Sequence, residues 1–328
     1  MTEPIRIGIV GYGNLGRGVE HALAHCPDMQ LVGIFSRRDP ASVQPLGADV
    51  AVHPLDRIDE FRDRIDVLIL CGGSKNDLPA QGPALAAKFN TVDSFDTHAK
   101  VPEYFAALDA AARPAQRTAL MSIGWDPGLF SLARLLGEAI LPQGQIYTFW
   151  GKGLSQGHSD AIRRVPGVRA GVQYTIPSPA AMDRVRSGER PQLSTREKHN
   201  RECHVVLEDG ADAAAVEKAI VTMPDYFADY DTTVHFISLD ELQRDHGAMP
   251  HGGFVIASAE TGAGNQQAIE FSLKLGSNPE FTASVLVAYA RAAHRLHRKG
   301  EYGAFSALEI APALLSPKDP AQLRKELL

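Results

Sequence analysis

Apolar positions along this chain follow two different rhythms. Up to about residue 125 they cluster in short strand-like stretches, nearly continuous in IRIGIV at 5–10, LVGIF at 31–35 and VLIL inside RIDVLILCGG at 64–73, and more mixed in TVDSFD at 91–96 and RTALMSIGW at 117–125. A strand that is apolar at every position is covered on both faces. Stretches of helical spacing lie between the runs, over 14–25, in PALAAKFN at 83–90 and from about Pro102 to Arg113. Strands alternating with helices predict a parallel sheet wrapped on both sides, an α/β fold of the doubly wound Rossmann type.

Beyond Trp125 the rhythm changes. DPGLFSLARLLGEAIL, 126–141, reads as one apolar-periodic helix. From 145 the chain is richer in Gly, Thr, His and Tyr, and stretches such as CHVVLE and TTVHFISL alternate apolar with polar residues. Alternation predicts strands with one wet face, hence an antiparallel sheet and a second, α+β domain. FTASVLVAYARAAHRLHRKG, 281–300, reads as a long amphipathic helix packing back on the first domain. The expected division is 1–124 with 279–328 returning to it, and 125–278.

Composition narrows the function. The chain has 328 residues, enough for two domains, with 33 basic and 39 acidic side chains and a formal charge of −6. That balance gives no reason to expect a nucleic-acid or membrane partner. The most basic stretch, RAAHRLHRKG at 291–300, is expected to be a solvated helix face. Cys26, Cys71 and Cys203 lie far apart without a CxxC pair, which argues against a disulfide framework or structural zinc. MTEPIRIGIV runs straight into a strand without the features of a signal peptide, so a cytoplasmic location is expected.

GIVGYGNLGRGVE places Gly11, Gly13 and Gly16 in G-x-G-x-x-G order between a strand and a helix. In that context Gly11 permits the turn, Gly13 lets backbone approach a pyrophosphate, and Gly16 lets helix and strand pack closely. Tyr12, Asn14 and Leu15 complete the loop, whose helix N-terminus favours anions. An acid that would hold a ribose hydroxyl is expected about 20 residues further on. Ser36, Arg37 and Arg38 stand there instead. A hydroxyl and two guanidinium groups suit a 2′-phosphate, so NADP is the expected cofactor, with Asp39 a possible ion-pair partner for one arginine.

Ligands of such sheets bind beyond the carboxyl ends of the strands. One end carries Cys71, Gly72 and Ser74, where the glycine allows close approach to a nicotinamide ribose and Cys71 is expected to be a small buried thiol. Another carries Asp93, Asp96 and His98; Asp93 could bond the turn backbone and Thr97 could cap the next helix. A third carries Trp125 and Asp126. Asp126-Pro127 fits a helix N-cap with proline in the first turn, and equally an acid facing a cationic amino group. In the second half, His246 and His251 lack a third partner at ligand spacing, so no metal site is expected. No G-x-S-x-G elbow is present.

VGYGNLGR, LVGIFSRR, TVDSFDTH, GWDPG, GLSQGHSDAIRRVPGV, TMPDYF, MPHGG and NPEFTAS together resemble the meso-diaminopimelate dehydrogenase family over almost the whole chain. Ile123, and Gly72-Gly73 after Cys71, depart from the family's usual residues without touching the charged groups. A sugar dehydrogenase of the glucose–fructose oxidoreductase type would carry Glu-Lys-Pro where DSFDTH stands. A catalytically silent NADP-binding regulator would not need ionisable clusters in both halves.

The resemblance implies a homodimer acting on a small molecule, with a dinucleotide domain and a substrate-binding and dimerisation domain. It implies reversible NADP-linked oxidative deamination at the D-centre of meso-2,6-diaminopimelate. The products are ammonia, NADPH and L-2-amino-6-oxopimelate, which cyclises to tetrahydrodipicolinate for lysine and cell-wall precursor synthesis. Carried over by motif, Asp96 and Asp126 lie near the substrate's amino groups and Trp125 forms pocket wall. Gln156 and Gly157 line the reacting end. Thr175, Arg201 and His251 bind the carboxylate of the unreacted L-centre, and Asn278 adds polar contacts. The acceptor of the amine proton stays open among Asp96, Asp126 and a bound water.

Overall fold

The structure is a computed structural model that describes residues 3–328. The chain divides into two compact units, one of residues up to 132 together with 279–328, the other of residues 133–278.

The first unit is built on a seven-stranded sheet. Its strands are β1 (Ile5–Val10), β2 (Met29–Ser36), β3 (Val52–Pro54), β4 (Val67–Leu70), β5 (Asn90–Asp93) and β6 (Thr118–Leu120), completed near the C-terminus by Gly303–Phe305. All neighbouring pairs are parallel. Helices α1 (Asn14–Leu23), α2 (Leu78–Ala86) and α3 (Val101–Ala112) connect them. β4 shows why the runs are apolar throughout: Val67 and Ile69 enter one core, Leu68 and Leu70 the other. The two outermost strands were not expected from the sequence, since three residues each carry no periodicity. TVDSFD is strand only as far as Asp93, so Asp96 lies in a turn.

α4 (Leu129–Ile140) begins three residues later than the sequence suggests. The second unit then holds β7 (Gln145–Trp150), β8 (Gly153–Leu154), α5 (Gln156–Arg163), β9 (Val168–Pro177), α6 (Pro179–Arg186), α7 (Thr195–Lys198), β10 (His199–Leu207), α8 (Ala213–Val221), β11 (Asp231–Phe236), α9 (Leu239–His246), β12 (His251–Thr261) and β13 (Asn265–Leu275). They form two sheets, β11-β10-β9-β8 and β13-β12-β7. The expected purely antiparallel sheet is corrected at one pair: β10 and β11 run parallel, with α8 as the crossover.

α10 (Asn278–Arg298) buries Ala283, Leu286, Val287, Ala290 and Ala293 in the core under β1 and β4. A Cβ on Gly18 of α1 would come within 2.9 Å of the Ala283 Cβ, so only glycine lets these helices pack so closely. The basic stretch of α10 is not simply a solvated face. Arg291 is buried and paired with Asp28 at 2.6 Å, and Arg295 donates to the carbonyls of Leu314 and Ser316. The closing strand Gly303–Phe305 is β14, and α11 spans Pro320–Leu327.

Candidate active site

At the tip of β1 the chain turns with Gly11 at φ +89° and enters α1 from Gly13. No side chain caps the helix and no acid lies in its first turn, so its leading amides present a positive end. A Cβ on Gly13 would meet nothing within 4 Å, whereas one on Gly16 would collide with the Gly11 carbonyl. Gly13 thus keeps a face open and Gly16 keeps helix and turn in contact. The Tyr12 side chain turns inward to Glu20, whose carboxylate also accepts the Leu46 and Gly47 amides, while the Tyr12 carbonyl accepts from the Arg38 guanidinium. Leu15 packs against the core.

Ser36 is buried at the end of β2, and its Oγ accepts the Arg38 amide at 3.0 Å. Arg37 is 69% exposed and pairs at 2.7 Å with Asp77, which also accepts the Gly73 amide at 2.8 Å. The sequence reading offered Asp39 as that partner. Instead Asp39 accepts the Ala41 amide at 3.0 Å and closes its own turn. Asp77, the residue missed, is brought in by the glycine pair after β4. A pocket of about 370 Å³ beside Arg37 is lined by Leu55, Ile58, Ala80 and Gln81.

Cys71 is partly buried, packed against the core, where the expectation was full burial; desolvation still pushes its thiol far up, which does not suit a nucleophile. Gly72 faces Asp77, the Cβ atom of which would lie 2.9 Å from a side chain there. Ser74 holds the neighbouring turn: its Oγ accepts the Asp96 amide at 2.9 Å and the Thr97 amide at 3.1 Å. Asp96 itself is exposed. Thr97 does not cap the following helix; its hydroxyl meets Ser74 at 3.0 Å. Asp93 does bond the turn, accepting the Phe95 amide at 2.9 Å. Asp126 is not the N-cap of α4, because the helix starts at Leu129, whose amide bonds the Gly124 carbonyl. Trp125 is buried and meets Phe130 edge-on at 5.3 Å.

In the second unit Gly153, Thr175 and Arg201 stand side by side on β8, β9 and β10. Thr175 and Arg201 are both buried, and the guanidinium donates to the Thr175 hydroxyl. It lies over the Tyr230 ring at 3.8 Å, a partner the sequence reading missed. Its Nε has no partner, and burial pulls its pKa down. His251 closes the row from the other side, since a Cβ on Gly153 would sit inside its ring. The His251 Nδ1 accepts the Gly252 amide at 2.8 Å. Gln156 opens α5 and reaches the Met249 sulfur at 3.3 Å. A Cβ on Gly157 would point into open space. The Asn278 amide bonds the Met249 carbonyl at 2.9 Å, which ties it to the loop bearing His251. Among the described residues no group of three or more potential ligands could hold a metal ion. No helix among them is long and apolar enough to cross a membrane.

The family model for the diaminopimelic acid dehydrogenase C-terminal domain matches residues 124–277. Meso-diaminopimelate D-dehydrogenase of Lysinibacillus sphaericus is 63% identical over 99% of both chains. The chain belongs to the meso-diaminopimelate D-dehydrogenase family. The Corynebacterium glutamicum member is 49% identical over 96% of both chains. A solved structure of the C. glutamicum enzyme in complex with DAP covers both chains in full at 47% identity and a TM-score of 0.91. An engineered D-amino acid dehydrogenase bound to NADP+ covers 99% of this chain and 100% of its own, at 46% identity and a TM-score of 0.85. Within this family frame, the strand-end acids lie in the first unit and the buried Arg201, with its unsatisfied Nε, in the second.

Proposed function

We propose that the chain is an NADP-dependent meso-diaminopimelate D-dehydrogenase. It converts the D-centre of meso-2,6-diaminopimelate, with water and NADP+, to L-2-amino-6-oxopimelate, ammonia, NADPH and a proton, reversibly. The reaction serves lysine and cell-wall precursor synthesis. The residues fit the 2′-phosphorylated dinucleotide. The turn at Gly11–Gly16 offers uncapped amides and an open face for the pyrophosphate. The tip of β2 carries Ser36, Arg37 and Arg38 and no acid, which supports binding of the 2′-phosphate. When bound, the cofactor accepts the hydride of the D α-carbon.

One observation carries the reading of the substrate: Arg201 is buried without a carboxylate partner and with an unsatisfied Nε. Such a group calls for an anionic ligand. Thr175 and His251 beside it supply further polar contacts, so the three together are assigned to the L-centre carboxylate. Gripping the far head fixes which α-hydrogen is presented. Asp96 and Asp126 are assigned to the reacting amino group, with Trp125, Gln156 and Gly157 as wall and Asn278 as a further polar contact. A carboxylate there holds the ammonium and can take its proton directly or through water.

The assay is NADPH formation from meso-, D,D- and L,L-diaminopimelate. Rapid turnover of the meso isomer and none of the L,L isomer is expected; equal turnover of all three would refute the assignment of the two ends. A homodimer is part of the proposal. Leu135, Leu136 and Ile140 of α4 are exposed, and β13 is an eleven-residue edge strand. Light scattering tests it. The free cysteines support a cytoplasmic enzyme.

A further inference from the structure

The turns that follow β5 and β6 carry Asp96 and Asp126, and both hang on one carboxylate. Asp93, the last residue of β5, is fully buried. Its Oδ1 accepts the Phe95 amide at 2.9 Å and the Ser122 amide at 3.4 Å; its Oδ2 accepts the Tyr104 hydroxyl at 2.7 Å. Its carbonyl accepts the Ile123 amide at 2.9 Å. Strand pairing between β5 and β6 ends at Val92 and Leu120. Beyond that point the two segments are joined through Asp93, by its carbonyl to Ile123 and by its carboxylate to Ser122.

The partners are themselves fixed. Ser122 has φ +56°, which turns its amide inward. Tyr104 stacks on Phe95 with centroids 4.1 Å apart. Its hydroxyl lies where a side chain on Gly82 of α2 would collide, so α2 holds it in place. On the outer side Ser74 grips the same turn through the amides of Asp96 and Thr97. No cation is among the groups that act on Asp93, and burial pushes its carboxyl up to about 6 in spite of three donors. A carboxylate is costly in such a place, and a strand end does not require one.

We propose that Asp93 is a positioning residue for the reaction: by joining Phe95, Ser122 and Tyr104, it sets the separation and orientation of Asp96 and Asp126. The inference rests on the assignment of those two acids to the reacting amino group.

The test uses the full-length enzyme with Tyr104→Phe, Asp93→Asn and Asp93→Ala. For each, kcat, KM for meso-diaminopimelate, NADPH affinity, Tm and the isotope effect with substrate deuterated at the D α-carbon are measured well below melting. Tyr104→Phe leaves Oδ2 without its donor but changes little volume. It is expected to lower kcat roughly ten- to a hundredfold, as a misplaced acid does, with a larger isotope effect and unchanged NADPH affinity. Asp93→Asn keeps Oδ1 for the two amides and should recover most of what Asp93→Ala loses. If Asp93→Ala fails to fold, Tyr104→Phe against wild type decides alone. Variants that only melt lower, with kcat and isotope effect unchanged, overturn the inference. Asp96→Asn and Asp126→Asn are measured in parallel: if both are fully active, the assignment of the acids has failed and the inference falls with it, whereas impaired Asp96 and Asp126 variants beside unimpaired Tyr104 and Asp93 variants overturn the inference alone.

Discussion

Replacing Arg201 with methionine should make the ligand-free protein more stable and the enzyme nearly inactive. The guanidinium is buried, its Nε is unsatisfied and no carboxylate neutralises it. Burying an ion costs several kcal/mol in real proteins. Stacking on Tyr230 at 3.8 Å returns about 2 kcal/mol, and the bond to Thr175 about 1.5–3 kcal/mol. The residual penalty is on the order of 1 kcal/mol, and methionine fills similar space without a charge. For a unit of this size that corresponds to a rise in Tm of roughly 2–4 °C. In the complex the sign reverses. Two parallel bonds to a carboxylate contribute roughly 3–6 kcal/mol, so kcat/KM for meso-diaminopimelate should fall between about 10² and 10⁴-fold. Melting with and without substrate, beside steady-state kinetics, checks both halves. Wild type should gain Tm with substrate and Arg201→Met should not. A variant that melts several degrees lower while keeping its kcat/KM would show that Arg201 is an ordinary structural arginine.

Arg37→Ala with Arg38→Ala should weaken NADP+ binding about tenfold or more per lost contact and leave NAD+ binding unchanged, as titration of each nucleotide would show. Asp126→Asn should cut kcat/KM steeply with little change in Tm, since Asp126 stands three residues before the start of α4 and asparagine keeps its volume and one acceptor oxygen; full activity would remove it from the site. The His199 Nε2 accepts the Trp150 amide at 2.8 Å, so the ring must be neutral in the folded state. Burial, then the Arg201 charge, pull its pKa from 6.5 to about 4. A base with a depressed folded pKa contributes stability in full above 6.5, and that stability is lost as pH falls through 6.5 toward 4. The loss is at most roughly 3 kcal/mol, read as a Tm that drops over this window in wild type and drops less in His199→Gln.

The sequence was most legible where one residue type has one physical use. Gly11 needs positive φ, Gly16 needs contact, and the apolar runs need two covered faces; all appear in the structure. It was least legible where a role depends on what lies across the sheet. Asp126 before proline has the local signature of a cap, yet the helix begins later. Asp39 is adjacent to two arginines, yet it is Asp77 that pairs with Arg37, from the loop after β4, a strand separated from β2 by β1. Tyr230 belongs to no motif and finds Arg201 only through the pairing of β10 with β11. β14 joins a sheet whose other strands lie far upstream, and three residues cannot announce that.

The same logic separates the two ends of a two-headed substrate. Asp96 is exposed, in a turn held by backbone bonds to Ser74 and to Asp93, so on the proposed assignment the reacting head meets a solvent-facing acid. Arg201 is buried before any ligand arrives. A group already desolvated gains more from an incoming anion than a hydrated one, because less water has to be displaced. The reacting head must lose a proton and a hydride, which demands a wet and adjustable acid. The unreacted head must only be held, which a dry, rigid fork does with greater angular restriction than a lysine would. Arg201→Lys separates charge from geometry. If charge alone anchors the far head, the lysine variant should keep most of kcat. If the fork fixes which α-hydrogen is presented, kcat should fall together with the preference for the meso over the D,D isomer, and an unchanged isomer preference would refute that role.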